Sequence, residues 1–426
     1  KGEREGGEIR REDVTDLEEG RRPLALSAKH LSWYTRILRG VACALVFLAP
    51  LKFGMVVRPG RLMFFPADWM EWLLTPWPPS LLPVISGALL FGALSLRARW
   101  GGGGRQQLYV GLWFVLAAMS LAGLIRTTEW DAALVFLWYV LGISCFAGAL
   151  ALLLAADPGG RRWMLAAVCA GTVCTALGGW SDTFGGGLER TLEYVEKQAA
   201  ERGEKVPEQI RKRLTQGRAS GSFVYPNSYA AHLILTVPLS LLLLWRCGRC
   251  FSPARVSQTL FLATGAVLLG FGIYVSGSRA ALLALGAATV GVTLVCPLLS
   301  KRWRMTVGAA CIVAVLLLLP AVNRGRSLSS LEARLTYYTT GAEMFIHRPL
   351  TGVGLGEFFP HYIRLKPAAA EETRVPHNML VLFFAQTGVF GGLAALALLA
   401  TAALWLPLQL YRDESATGDK GRERLL

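Results

Sequence analysis

Charged residues are scarce in this sequence. Only 17% of its 426 residues are Asp, Glu, Lys or Arg, whereas 53% are apolar. A soluble domain needs roughly a quarter of its residues charged to keep its surface hydrated. This shortage, together with repeated apolar runs of about 20 residues, excludes an ordinary soluble protein and indicates a chain surrounded by lipid.

The sequence also lacks grouped residues that would form disulfides or bind metals. Six of its eight cysteines lie inside apolar runs, where cysteine behaves as a small hydrophobic residue. Cys247 and Cys250 lie in a short basic loop without a second Cys or His pair nearby. The pattern therefore predicts no disulfide framework, no metal site and no cofactor.

Basic residues outnumber acidic residues in this sequence, and the net charge is +15. The basic residues lie mostly in short loops between apolar runs, where they set membrane topology and contact anionic lipid headgroups. This placement predicts membrane lipids as partners and no nucleic-acid partner.

Ten apolar runs are each long enough to cross a bilayer. Basic loops then place both chain ends in the cytoplasm. The sequence predicts an all-α polytopic membrane protein with about ten transmembrane helices, within a range of ten to twelve. The predicted transmembrane domain spans 38–410, and charged cytoplasmic tails lie at 1–37 and 411–426. The runs lie at about 38–57, 81–96, 107–125, 132–155, 163–180, 225–245, 257–275, 280–299, 305–322 and 389–410.

Two long segments, 181–224 and 323–376, are predicted to lie outside the cytoplasm. Within the first, residues 187–215 fit either an amphipathic surface helix or a solvated spacer. The second is the large external loop between the last helices, and long loops on a rigid scaffold often carry function. After it, a helix at 377–387 is expected to break near Gly388, because 34 residues in one helix would exceed the bilayer thickness.

Polar residues beside these segments form five motifs, four of which also have a structural explanation. Ser276-Gly-Ser-Arg279 opens a helix, and its arginine could bind an anion or extend to the membrane interface. Arg218 to Asn227 leads into another helix, where Asn227 could simply cap it. Arg334 begins a helical pattern in the large loop.

The remaining motifs follow Arg334 along the chain. His347-Arg-Pro-Leu-Thr-Gly-Val-Gly354 lacks the preceding strand of a dinucleotide-binding motif and predicts a tight turn. His377-Asn378 stands before Gly388 at a predicted helix start. A histidine there could act as a base near neutral pH or serve as a hydrogen-bonding residue.

Four of these motifs, in their order along the chain, resemble the O-antigen ligase family of bacterial membrane proteins, which also contains O-antigen polymerases and protein oligosaccharyltransferases. The four are Ser276–Arg279, Arg334, His347–Gly354, and His377-Asn378 with Gly388 and Gly391. The resemblance covers about residues 210–395. It implies a metal-independent, inverting transfer of a glycan from undecaprenyl diphosphate to an acceptor on the periplasmic side of the inner membrane. This chain departs from the family in having Tyr337 and Tyr338 where many relatives carry Trp. The predicted catalytic residues are His377, Arg279 and Arg334, and the substrate-binding residues are Arg218, Asn227, Ser278, Tyr338, Gly354 and Asn378.

The function expected from this resemblance is an O-antigen ligase-like transfer of glycan to a lipid A–core-type or other glycolipid acceptor. A polysaccharide polymerase and a protein O-oligosaccharyltransferase remain open alternatives. Asp68 and Glu71 form one acidic pair in the first external loop, where another class of membrane glycosyltransferase has a metal-binding base. A lipid or sugar transporter is the alternative from a different class, although the chain has little intramembrane charge beyond Lys52.

Overall fold

A computed structural model describes residues 28–55, 72–73, 75–96, 104–157, 159–201, 203–206, 208–251, 255–295 and 329–416, with scattered positions between 302 and 313. Within these ranges every regular element is a helix, so the predicted all-α class is confirmed. A helix pairs its backbone donors and acceptors within itself, which is why apolar runs in lipid adopt it.

Most predicted apolar runs in the described ranges coincide with a helix to within a few residues, but the first helix begins ten residues before its predicted run. A short 3-10 turn, Leu124–Arg126, separates the third and fourth helices. The α-helices in the described ranges are α1 (Ala28–Lys52), α2 (Leu81–Leu94), α3 (Gly104–Gly123), α4 (Trp130–Ala156), α5 (Gly160–Phe184), α6 (Gly187–Glu201), α7 (Glu208–Thr215), α8 (Pro226–Phe251), α9 (Arg255–Val275), α10 (Arg279–Val295), α11 (Ser329–His347), α12 (Phe358–Leu365) and α13 (Met379–Ala416).

Several of these helices are long and apolar enough to cross a membrane, so the chain is a multi-pass membrane protein. Five such spans occur in the described part: Trp33–Lys52, Gln106–Arg126, Trp130–Ala156, Gly160–Phe184 and Met379–Ala402. The predicted count of about ten is not confirmed. The predicted run at 305–322 lies mostly outside the described residues.

Small residues allow the helices around the predicted motifs to pack closely. Helix α5 contacts α8 and α9, and α8 also contacts α10. Tyr229 of α8 is fully buried, and a side chain added at Gly179 of α5 would overlap its hydroxyl group. Close backbone approach through glycine and alanine is how helices associate in lipid, where apolar surface alone gives little drive. This cluster fixes the start of α8 relative to the α9–α10 turn.

The segment 187–215, whose sequence fits either an amphipathic surface helix or a solvated spacer, contains two helices rather than one. Helix α6 ends at Glu201 and α7 begins at Glu208. Gly203, with φ of 66°, lies in the turn between them. Left-handed backbone ends a helix, and glycine adopts it at little cost. Arg211 forms an ion pair with Glu196 across the two helices.

Helices α11, α12 and α13 form a second cluster, and α13 also packs against α3. Tyr337, Phe358 and Tyr362 are buried where they meet. Helix α13 is broken at Gly388, where φ is 69° and ψ is −160°. Only glycine adopts this conformation readily, and its backbone lies directly against the carbonyl of Leu350. The break falls at the predicted position, although the preceding helical piece begins at Met379 rather than at residue 377.

Candidate active site

The turn between α9 and α10 is built around Arg218. The guanidinium donates through Nε to the Ser276 carbonyl at 2.8 Å and through Nη2 to the Gly277 carbonyl at 3.3 Å. Gly277 has φ of 58° and lies against the same side chain. A planar guanidinium reaches several acceptors in fixed directions. Arg218 therefore fixes the conformation of the turn that leads into Arg279.

The same arginine also connects this turn to the start of α8. Its Nη2 donates to the Asn227 side-chain oxygen at 3.0 Å. Pro226 occupies the first turn of α8, where its missing N–H costs no hydrogen bond. Asn227 thus contacts Arg218, in addition to lying at a helix start as the sequence predicted.

Asp182 of α5 holds the loop that follows Arg218. Its carboxylate accepts hydrogen bonds from the backbone N–H groups of Ser220 at 2.9 Å and Gly221 at 2.8 Å. Charge-assisted hydrogen bonds of this kind are stronger than neutral ones. Asp182 has no recognisable signal in the sequence, because its partners lie 38 and 39 residues further along the chain.

Ser278 and Arg279 lie side by side but in different surroundings. Ser278 is buried, and its hydroxyl accepts a hydrogen bond from the Ala281 N–H at 3.4 Å. It therefore caps α10, the function that serine usually has before a helix. Arg279 is the first residue of α10 and is half-buried. Its backbone position places it directly after the turn that Arg218 fixes.

His377 lies beside the loop that leads into α8. Its ring packs edge-on against Tyr225 with a centroid separation of 5.8 Å, and it lies at a tilt against the Tyr337 ring at 6.1 Å. Tyr225 precedes Pro226, so it belongs to the loop that Arg218 and Asp182 anchor. Through Tyr225 the structure brings His377 next to the Arg218–Asn227 group, although the two motifs are 150 residues apart in the sequence.

The surroundings of His377 shift its pKa in opposite directions. Loss of hydration lowers the pKa of the ring, the positive charge of Arg334 lowers it further, and the negative charge of Glu371 raises it. The net effect lowers the pKa, so the ring is held neutral at lower pH than usual. A neutral imidazole can accept a proton, which is what a general base requires.

The backbone of His377 is unusual as well, because its φ is 52°. A non-glycine residue in the left-handed region is uncommon and needs support from its surroundings. The next residue, Asn378, accepts hydrogen bonds from the N–H groups of Leu380 at 3.0 Å and Val381 at 3.2 Å. Asn378 therefore caps α13 and fixes the histidine just before the helix.

Helix α11 brings Arg334 and two tyrosines to this region. Tyr337 is buried, contacts His377 and donates a hydrogen bond to the Glu371 carboxylate. Burial and that hydrogen bond raise the pKa of Tyr337. Tyr338, the tyrosine selected from the sequence, is half-buried and packs against the apolar cluster of α11–α13. The contact with His377 is thus made by its neighbour.

Gly354 does not belong to the group of residues around His377. With φ of 116° it is buried against Arg126 and Glu357, and its N–H donates to the Gln386 carbonyl at 3.2 Å. Gly352 and Gly356 also have positive φ, so the predicted tight turn is confirmed. These contacts give Gly354 a structural explanation and do not include His377, Arg279 or Arg334.

The turn from Gly352 to Gly356, here called the glycine turn, is attached to the start of α4 by the Glu357 carboxylate, which has no signal in the sequence. Glu357 is 3% exposed and accepts hydrogen bonds from the backbone N–H of Thr128 and of Glu129, the latter at 2.8 Å. Thr128 also donates through its hydroxyl at 2.9 Å. A negative charge at a helix start is favourable, because the N–H groups there carry partial positive charge.

Comparison with known families adds the decisive observation for this region. Residues 264–396 match the family model described as O-antigen ligase. The resemblance to the O-antigen ligase superfamily is confirmed. No curated protein matches the chain. The matched O-antigen ligase segment contains Arg279, Arg334 and His377, whereas Arg218 and Asn227 precede it.

In the described part of the chain no group of three or more His, Cys, Asp or Glu residues is arranged to hold a metal ion. The acidic pair Asp68 and Glu71 lies outside the described residues. The alternative that rests on this pair therefore stays a prediction.

Proposed function

We propose that this chain is a membrane glycosyltransferase of the O-antigen ligase type. It moves a glycan from undecaprenyl diphosphate to a lipid A–core-type acceptor at the periplasmic face of the bacterial inner membrane. The observation that carries this proposal is the contact of Tyr225 with His377. That contact places His377 beside the loop before α8, and Arg218 of the same loop hydrogen-bonds to the turn before Arg279.

In the proposed reaction the arginines neutralise the departing diphosphate. Diphosphate is already a good leaving group, so catalysis requires mainly compensation of its charge and activation of a hydroxyl. Arg279 and Arg334 are assigned to the phosphate oxygens, because a guanidinium binds them through two parallel hydrogen bonds. The proposed route needs no metal ion. Arg218, whose donors contact the protein, would shape the turn and contribute positive charge.

His377 is assigned the role of general base. It accepts the proton from the acceptor hydroxyl while that oxygen attacks the anomeric carbon of the donor sugar. The bond between the anomeric carbon and the diphosphate oxygen breaks, and the configuration at the carbon inverts. The lowered pKa of His377 supports this assignment, because the ring is unprotonated and ready to accept a proton.

The other selected residues receive supporting roles in this proposal. Asn227 holds Arg218, Ser278 caps α10, and Asn378 fixes the backbone after His377. Tyr338 and Gly354 were selected as substrate-binding residues, and these two assignments rest on the family resemblance alone. Binding at Tyr338 is the more accessible of the two, because Gly354 is buried.

The test is a transfer assay with the full-length protein in liposomes and a purified undecaprenyl-diphosphate glycan. Three acceptors are compared: a lipid A–core glycolipid, a second lipid-linked repeat unit and an acceptor protein. Transfer to the glycolipid, unchanged by a metal chelator, supports the proposal. Transfer to either other acceptor alone would assign the chain to the polymerase or protein-glycosylating type. Movement of donor across the bilayer without any transfer would contradict an enzymatic function.

A further inference from the structure

The segment that carries His377 is held at one point by two tyrosines. Tyr362 of α12 donates its hydroxyl to the Glu371 backbone carbonyl at 2.8 Å, and Tyr337 of α11 donates to the Glu371 side chain. The two tyrosine rings pack at 5.7 Å, and both are at most 3% exposed. Glu371 is thus fixed through its backbone and its side chain to two buried residues.

Neighbouring hydrogen bonds give this segment a defined shape. The Lys366 ammonium donates to the Ala370 carbonyl at 2.7 Å, and the Thr373 hydroxyl donates to the Val375 carbonyl at 2.7 Å. Pro376 is buried directly before the histidine. The segment from Lys366 to Asn378, here called the histidine segment, is therefore ordered by local bonds and attached to the helices at Glu371.

The histidine segment needs such an attachment because His377 has left-handed backbone. This conformation is unfavourable for a non-glycine residue, because its Cβ comes close to the following carbonyl oxygen. It persists only where the surroundings hold it, and such positions concentrate at functional sites. Tyr337 contacts both Glu371 through its hydroxyl and His377 through its ring, so one side chain connects the attachment point to the histidine.

Charge gives Glu371 a second role. The groups that face His377 are Arg334 and Tyr337 from α11, Glu371 from the histidine segment and Tyr225 from the loop before α8. Arg334 is the cation in this set and Glu371 is the anion. When the imidazole accepts a proton beside Arg334, two positive charges come close together, and only Glu371 in this set compensates them.

We propose that Glu371 and Tyr337 are positioning residues for His377. The carboxylate accepts the Tyr337 hydrogen bond, fixes the histidine segment and balances the positive charge that His377 gains with a proton. This inference rests on the proposed function, because it assumes that His377 accepts a proton. Neither residue touches the reacting atoms in this proposal.

Two substitutions separate the two roles. Glu371→Gln keeps an oxygen that can accept from Tyr337 but removes the charge. The His377 pKa should then fall, and the acid limb of the pH–rate profile should move to lower pH. Tyr337→Phe keeps the ring but removes the hydroxyl. We expect it to lower kcat by about tenfold to 100-fold at unchanged KM for the donor, since small displacements of a catalytic group have effects of that size.

The experiment measures the titration of His377 by NMR in the full-length protein, labelled at its five histidines. His377→Gln assigns the resonance, and Glu372→Gln makes the same charge change one residue away as the control. A lower pKa in Glu371→Gln but not in Glu372→Gln supports the charge role. An unchanged or raised pKa in Glu371→Gln would overturn it, and wild-type kcat in Tyr337→Phe would overturn the positioning role.

The NMR titration needs no turnover, so its result is independent of the proposed function. If His377→Ala retained full transfer activity, the proposed function of His377 would be wrong whatever the titration showed. If the titration failed to respond to Glu371 while His377→Ala abolished transfer, only the positioning inference would be wrong. The two failures are therefore distinguishable.

Discussion

Glu357 offers a prediction that depends on the fold rather than on the reaction. Its buried carboxylate accepts hydrogen bonds from the backbone N–H groups of Thr128 and Glu129 and from the Thr128 hydroxyl. These bonds attach the glycine turn to the start of α4. Substitution by alanine removes every acceptor at once, whereas substitution by glutamine keeps the shape and one oxygen.

The size of the effect follows from the groups that lose their partners. A donor left unsatisfied on removal of its partner costs about 1–3 kcal/mol. Thr128 and Glu129 are exposed residues, so water can replace part of what is lost. We therefore expect Glu357→Ala to reduce the free energy of unfolding by about 2–4 kcal/mol. Glu357→Gln should reduce it by about 1–2 kcal/mol, because neutral hydrogen bonds are roughly half as strong as charge-assisted ones.

The assay is reversible unfolding of the purified protein in mixed micelles, followed by tryptophan fluorescence. Glu129→Gln is the matched control, because it removes a charge from the same loop at a residue whose side chain makes no capping hydrogen bond. Its effect should stay below about 1 kcal/mol. If Glu357→Ala were no more destabilising than this control, the attachment of the glycine turn by Glu357 would be refuted.

Further predictions concern the anion site, the break in α13 and the topology. Arg279→Lys keeps the charge but loses the paired donors, so donor-lipid affinity should fall roughly 10- to 150-fold, and unchanged binding would contradict its phosphate role. Gly388→Ala should destabilise the protein by more than about 2 kcal/mol, because alanine cannot adopt that backbone, while Gly87→Ala, which has open space, should be neutral in the same unfolding assay. In a cysteine-free background, an impermeant thiol reagent applied outside the cell should label a cysteine at Ser329 but not at Ser415. Labelling at Ser415 in intact cells would reverse the predicted orientation.

The helices could be predicted from the sequence because their signal is local. Apolar runs require helices in lipid, and the length limit of the bilayer required a break near Gly388. The positions of α3, α4 and α5 agree with the predicted runs to within a few residues. The sequence did not predict that 187–215 forms two helices. Leu188, Leu192 and Val195 have helical spacing, but this spacing does not show where the first helix ends.

The site was only partly predictable, because its decisive contacts join distant parts of the chain. Family motifs identified Arg279, Arg334 and His377, but the contacts of Tyr225 and Glu371 depend on how α8, α11 and the histidine segment pack. An acidic residue in a long polar loop is usually only solvated, so Glu371 gave no local signal. The only sign at Tyr337 was that it stands where many relatives carry Trp.

Single-turnover glycan transfer by the His377→Ala variant tests whether His377 activates the acceptor hydroxyl. The assay uses purified donor and acceptor at saturating concentrations, with donor binding measured on the same preparation. Positioned acid–base catalysis contributes about 10²–10⁴-fold to a reaction rate. We therefore expect His377→Ala to lose transfer rate by that factor while its donor binding is preserved. If His377→Ala bound donor normally and transferred glycan within about tenfold of the wild-type rate, His377 would not be the general base.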